Sequence, residues 1–261
     1  MAHDLNPAIT PIGVIHTCFK EKFGIPRQPN LADRAPGMLE FLPEFARPEA
    51  VRGLEQFSHV WVIFLFHGAV KKDGKWSAMV RPPRLGGNKK VGVFASRSPF
   101  RPNPIGMSCV RLEDIEMTAK GPVLHLTGVD ILDQTPVLDI KPYLPYSDRL
   151  DTARDGFAPP PDNKTCRVSF SDTAAAQVRE REKAIPNLQT IITQVLENDP
   201  RPAYSNARFS RKKEEPRAGE TNKKRIYGIR MFDFDLKWQA SEHNIQVICL
   251  DPTPDQGALK Q

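Results

Sequence analysis

The stretch Val91–Arg111, VGVFASRSPFRPNPIGMSCVR, decides how the rest of the chain is read. It opens on apolar, β-favouring residues, Val91, Val93 and Phe94, which read as a strand. Pro99, Pro102 and Pro104 then fall within six residues. Each proline fixes its own φ and drives the residue before it out of the α region, so this loop is neither helix nor central strand. After Gly106 the pattern from Met107 to Glu113 is extended and alternating again. A stiff polar loop between two strands thus carries Arg97 and Arg101, with Ser96 and Ser98 flanking the first. Guanidinium forks whose directions are set before binding suit an anion or a carboxylate. The plainer alternative is a proline-rich hairpin whose arginines are simply solvated.

Outward from that loop the chain is mostly strand. Ile9–Thr17 and Met38–Leu42 read as strands, and Pro48–Phe57 as a short helix. Val60–Phe66 is a continuous apolar run, which predicts a strand buried on both faces. Trp76–Arg84, Met107–Thr118 and Val123–Leu132 add further strands. Such spacing with few helices argues for a closed or nearly closed β-barrel. Asp133–Tyr146 repeats the polar, proline-punctuated style of the central loop, and Asp155–Asn163 reads as a linker. Beyond it, Asp172–Lys183 and Asn187–Leu196 predict helices, and Tyr227–Gln239 with Asn244–Leu250 a hairpin. The expected fold class is therefore mainly β. A small closed barrel over 8–157 is followed by a smaller α+β domain over 168–252 and a disordered tail over 253–261.

No window reaches the roughly 18 apolar residues of a membrane span, and the N-terminus lacks a signal-peptide layout. Cys18, Cys109, Cys166 and Cys249 are scattered, so reduced thiols and a cytoplasmic location are expected. The six histidines have no metal-type spacing, and no metal is expected. The net charge is +6, but it is concentrated. Residues 75–112 hold eight Lys or Arg and no acid, and residues 201–230 hold ten against three acids. Without that second run, at +7, the remainder stands at 6 − 7 = −1. Two basic runs on a balanced chain suggest a polyanion partner. A solvated charged loop is the alternative for the second run. No Gly-x-Gly occurs, so the Rossmann nucleotide loop is missing.

Ala95–Gly106, ASRSPFRPNPIG, resembles the signature of the TsaA-like family, also called the TrmO family. Flanking segments agree in order: Pro11–His16, Lys22–Gln28, Gly53–His59, Asp133–Tyr143, Arg201–Tyr204 and Tyr227–Arg230. The resemblance covers roughly residues 10 to 240 and is far more specific than a lone glycine motif. It implies an S-adenosylmethionine-dependent tRNA methyltransferase built on a small non-Rossmann β-barrel, acting as a homodimer. It also implies cofactor contacts from Pro26, Arg27, Gln28, His67, Gly68, Arg97, Met107, Asp133, Gln134, Thr135 and Pro136. Among these, Arg97 suits a carboxylate or ribose, Asp133 a ribose or ammonium, and Met107 with Phe94 the adenine. Two positions depart from the family pattern. Gln134 replaces a glycine, so either the turn differs or glutamine takes a left-handed conformation at some cost. Gly68 replaces an asparagine and leaves only backbone to bond there.

The resemblance further implies methyl transfer to N6 of N6-threonylcarbamoyl-adenosine at position 37, next to the anticodon. Alignment of N6 with the sulfonium methyl axis would supply most of the catalysis, and no residue stands out as the base. Arg101, Lys141 and Tyr143 are the candidates for substrate contact, since a loop-exposed base stacks on aromatic or guanidinium planes. Lys212, Lys213, Lys223 and Lys224 are candidates for tRNA phosphates. The competing reading is a tRNA- or RNA-binding barrel without methyl transfer.

Overall fold

The structure, a computed structural model, describes residues 9–69, 76–82, 85, 89–158, 166–201, 225–241 and 244–253. Six strands close a barrel: β1 (Gly13–Thr17), β2 (Pro36–Phe41), β3 (His59–Leu65), β6 (Ile105–Thr118), β7 (Gly121–Thr127) and β8 (Thr135–Pro142). Their order is β1-β2-β7-β6-β3-β8, and every neighbouring pair is antiparallel. Between β3 and β6 lies a two-stranded ribbon, β4 (Met79–Val80) with β5 (Val91–Gly92). Closure leaves no unpaired barrel edge. Along β6 the inward positions are Gly106, Ser108, Val110 and Leu112, an alternation set by the period of two. Any side chain on Gly106 would land on the Phe64 ring, so glycine lets β6 begin directly after the proline loop.

The C-terminal part is a four-stranded sheet ordered β10-β11-β12-β9. Its strands are β9 (Arg167–Phe170), β10 (Ile226–Met231), β11 (Phe234–Ala240) and β12 (Asn244–Pro252), with β9 parallel to β12. After a one-turn helix α1 (Pro145–Asp148) come α2 (Asp172–Arg181) and α3 (Leu188–Glu197). Ser171 caps α2 by accepting the Ala174 N–H at 3.1 Å. Leu188, Ile191, Ile192 and Val195 form one buried stripe along α3. Trp238 and Phe234 are fully buried in the same sheet. Barrel and sheet share one apolar core. They are joined where Phe19 bridges Met231, Phe232 N–H donates to Cys18 O at 2.8 Å, and Asn198 donates to Leu31 O at 3.0 Å. No described helix is long and apolar enough to cross a membrane.

Several expectations are corrected. The Val91–Phe94 strand ends at Gly92, and Val93–Ala95 turns as a 3-10 helix. Pro48–Phe57 is two 3-10 turns broken at Gly53, whose φ is 88°. Val60–Phe66 is not buried on both faces: only Val60, Val62 and Phe64 point inward, because a barrel strand has one core side. Described strand within Trp76–Arg84 is limited to Met79–Val80. The β7 strand stops at Thr127, and the chain from Gly128 crosses the barrel end instead. Asp133–Tyr146 contains a barrel strand, β8, and Tyr227–Gln239 is itself two strands turning at Phe232, with a φ of 48°. The basic run 202–224 and the tail from 254 lie outside the described residues.

Candidate functional site

Because the barrel is antiparallel, three connections leave it at the same end: β1–β2, β3–β6 and β7–β8. The first carries Pro26, Arg27 and Gln28, the second His67, Gly68, Arg97 and Arg101, and the third Asp133 and Gln134. Met107, Thr135 and Pro136 stand where β6 and β8 enter that rim. Topology alone therefore gathers residues more than a hundred positions apart in sequence.

The proline loop is held by its own serines. Ser96 Oγ donates to Val93 O at 2.8 Å and accepts from Ser98 N–H, while Ser98 Oγ accepts from Phe100 N–H at 3.2 Å. Arg101 Nη1 donates back to Ser96 O at 3.3 Å, and Arg97 Nη1 donates to the Gln28 side-chain carbonyl. Gln28 in turn donates to Arg27 O, and Arg27 Nη2 reaches Arg201 O at 3.2 Å. Fork, amide and backbone form a chain of bonds across two connections, so Arg97 is oriented before any ligand arrives. Phe94, in the same connection, and Met107, at the start of β6, are exposed apolar side chains, at 73% and 53%.

On the other side of the rim, the buried Thr135 hydroxyl donates to Leu132 O at 2.6 Å and sits 3.2 Å from His67 Nδ1. A hydroxyl has one proton, so His67 Nδ1 is the donor here, which in a neutral imidazole leaves Nε2 as an acceptor. Gly68 O accepts from Lys22 Nζ, so the backbone expected to bond a ligand there is engaged by the chain itself. Asp133 is paired with Lys20 Nζ at 2.7 Å and accepts the Thr17 N–H at 2.8 Å. Its charge anchors β1 to the β7–β8 connection, which the sequence did not reveal. Gln134 does take the left-handed conformation, with a φ of 60°.

Two residues the sequence reading passed over belong to this rim. Ser108, at an inward position of β6, is 2% exposed and donates to Asp130 Oδ1 at 2.5 Å. Burial pushes the Asp130 carboxyl up to about 6, and the Ser108 bond and the Arg97 charge pull against it. The available signal was a polar residue at each of two core-patterned positions. Lys141 and Tyr143 are not brought to the rim. They lie at the far end of β8, roughly 20 Å along the strand from Thr135. There Lys141 pairs with Asp139 at 2.9 Å, and Tyr143 packs against Trp61 and His59. Lys212, Lys213, Lys223 and Lys224 lie outside the described residues. Among the described residues no cluster of His, Cys, Asp or Glu has the arrangement to hold a metal ion.

A closed barrel with loops, serines and arginines gathered at one rim is a candidate ligand site, in a sequence with no Gly-x-Gly nucleotide loop. Comparison with known proteins gives the family. Residues 14–149 match the tRNA-methyltransferase O N-terminal domain, and residues 163–253 match the TrmO C-terminal domain. The tRNA (adenine(37)-N6)-methyltransferase of Escherichia coli K12 is 43% identical over 241 residues, covering 92% of this chain and 96% of its own. A Pseudomonas aeruginosa relative, provisionally named an S-adenosylmethionine-dependent methyltransferase, is 48% identical over 90% of this chain and 93% of its own. A crystal structure of TrmO superposes with a TM-score of 0.73 at 42% identity, covering 95% of this chain and 100% of that one. The chain belongs to the tRNA-methyltransferase O family, a family of S-adenosylmethionine-dependent enzymes.

Proposed function

We propose that this protein transfers a methyl group from S-adenosylmethionine to N6 of N6-threonylcarbamoyl-adenosine at position 37 of a tRNA. The observation that supports it most is the convergence of Gln28, His67, Arg97 and Thr135 on one rim. The residues there fit the cofactor. Arg97 offers a fork for a carboxylate, His67 Nε2 an acceptor for a ribose hydroxyl, and Phe94 with Met107 apolar surface for adenine. When bound, S-adenosylmethionine supplies an electrophilic sulfonium methyl whose thioether departs without an acid. What remains for the protein is alignment, and the hydrogen-bonded proline loop provides a rigid frame for it.

Arg101 pairs with the threonyl carboxylate of the substrate base, since it stands four residues from Arg97 on the same stiff loop. A site built around that carboxylate rejects bare adenosine by several powers of ten, because the arginine is then left unpaired. The test is methyl transfer to one tRNA transcript with and without the threonylcarbamoyl group, read by nucleoside mass spectrometry. Equal rates would exclude recognition of the threonylcarbamoyl group. A rate lost on modified tRNA alone in Arg101→Ala would support it. Cofactor binding with no transfer to either transcript would leave an RNA-binding barrel.

The protein works as a homodimer in the cytoplasm. Its four cysteines are free thiols. The outer face of β3 and β6 carries Ile105 and Met107 at 39% and 53% exposure, beside the partly exposed Trp61, Ile63 and Leu65. Light scattering is expected to give twice the chain mass, and Ile105→Lys to return it towards one.

A further inference from the structure

The rim holds two acids three residues apart, and their surroundings differ. Asp133 has a contacting cation in Lys20 and a backbone N–H from Thr17, so its charge is used within the fold. Asp130 has two neutral donors, the Ser108 hydroxyl at 2.5 Å and its own backbone N–H, and no contacting cation is seen among the described residues. The charge of Arg97 acts on it through space, and the Arg97 hydrogen bond runs to Gln28. A partly buried carboxylate held by a hydroxyl and flanked by a guanidinium that is turned to another partner is a site short of one cation.

We propose that Asp130 receives the ammonium of the methionyl end of S-adenosylmethionine while Arg97 receives its carboxylate. This rests on the reading above that the cofactor binds at this rim. The chemistry of an α-amino acid calls for such a pair. Its two charges sit on one carbon, so the complement must be a cation and an anion side by side. Asp130 and Arg97 come from the β7–β8 and β3–β6 connections, which the antiparallel barrel brings to one end. Ser108 fixes Asp130 from β6, and Gln28 fixes Arg97 from the β1–β2 connection. Four segments thus hold one pair of opposite charges. The threonyl group of the substrate offers no match, since its nitrogen is acylated and carries no charge. Asp133, which the sequence suggested for an ammonium, is already neutralised by Lys20.

Calorimetry separates this from other roles. In Asp130→Asn, affinity for S-adenosylmethionine and for S-adenosylhomocysteine is expected to fall together, roughly ten- to hundredfold, as for a lost charge-assisted hydrogen bond. Affinity for 5′-methylthioadenosine, which lacks the amino-acid end, is expected to stay as in the wild type. A loss confined to S-adenosylmethionine would place Asp130 at the sulfonium and overturn the proposal. A loss shared by 5′-methylthioadenosine would reduce it to a support of pocket shape, and unchanged affinities would remove it from the site. A second arm uses the wild-type protein alone. Deamino-S-adenosylhomocysteine is expected to bind it more weakly than S-adenosylhomocysteine by a similar factor, and equal binding overturns the proposal. If the wild type binds none of these nucleosides, the functional reading itself fails, which is a different result.

Discussion

Asp130 makes the folded protein pay in stability for a charge it keeps at the rim. Its carboxyl is raised from the ordinary 3.8 to about 6, chiefly by burial. Between those values the folded state binds a proton that the unfolded state releases. Stability therefore falls as the pH rises from about 4 to about 6, and the cost is complete above that. Two pH units correspond to roughly 3 kcal/mol, an upper bound for a partly buried group. Asp130→Asn is expected to stabilise the cofactor-free protein by up to about 2 kcal/mol at pH 7.5 and by little at pH 4. Thermal melts at the two pH values check this, and equal gains at both would show that the charge is not the cause. Gln134 is a second strained point at the same rim, a glutamine held at a φ of 60°. Sites of this kind trade stability for function.

At the scale of elements, the β1–β2 connection links the rim to the C-terminal sheet. Arg230 N–H donates to Glu21 at 2.9 Å, Gln194 donates to Asp33 at 2.6 Å, and Arg27 reaches Arg201 O. Arg201 is 2% exposed and is held by both Asp199 oxygens, at 2.7 and 2.8 Å. A buried ion pair adds little net stability, but removing one partner leaves a buried charge. Asp199→Ala is therefore expected to cost about 3–5 kcal/mol in urea unfolding. The same change should weaken cofactor binding, since Arg27 and Gln28 lose their anchor although residue 199 lies in the C-terminal part. Unfolding at the wild-type midpoint would show that Arg201 has sufficient other support.

For the whole molecule, charge is the property that matters most. Outside its two basic runs the chain is acidic, at 6 − 7 − 8 = −9, and the run 75–112 includes the proline loop at the rim. A phosphate backbone would find cations in that loop, and the 201–230 run adds seven net positive charges to the chain. Reversing Lys212, Lys213, Lys223 and Lys224 to Glu is expected to raise the tRNA KM. It should also flatten the dependence of binding on salt by roughly three to four in log–log slope, at about 0.7–0.9 for each phosphate that is no longer neutralised. Cofactor affinity should stay unchanged. An unaltered slope would identify these lysines as solvated rather than bound to phosphate.

The sequence by itself determined the mainly β class, because alternation in Met107–Thr118 and punctuation by proline and glycine are local signals. It determined α3 for the same reason, through a stripe at helical spacing, and it singled out the loop around Arg97. Tertiary structure decided the rest. β8 lies in a stretch that reads as loop because Pro136 and Pro142 interrupt it, and only pairing with β1 and β3 makes it a strand. β9 has four residues and gains its place from a parallel partner in β12, some 77 positions on. The face of Val60–Phe66 that is left open depends on which strands flank it in the closed barrel. The two acids of the β7–β8 connection look alike in sequence. Lys20 and Thr17 approach Asp133, whereas Ser108 approaches Asp130, and these neighbours come from other segments of the barrel. Propensity acts over a few residues, but neutralisation of a charge depends on what the fold brings within hydrogen-bonding reach.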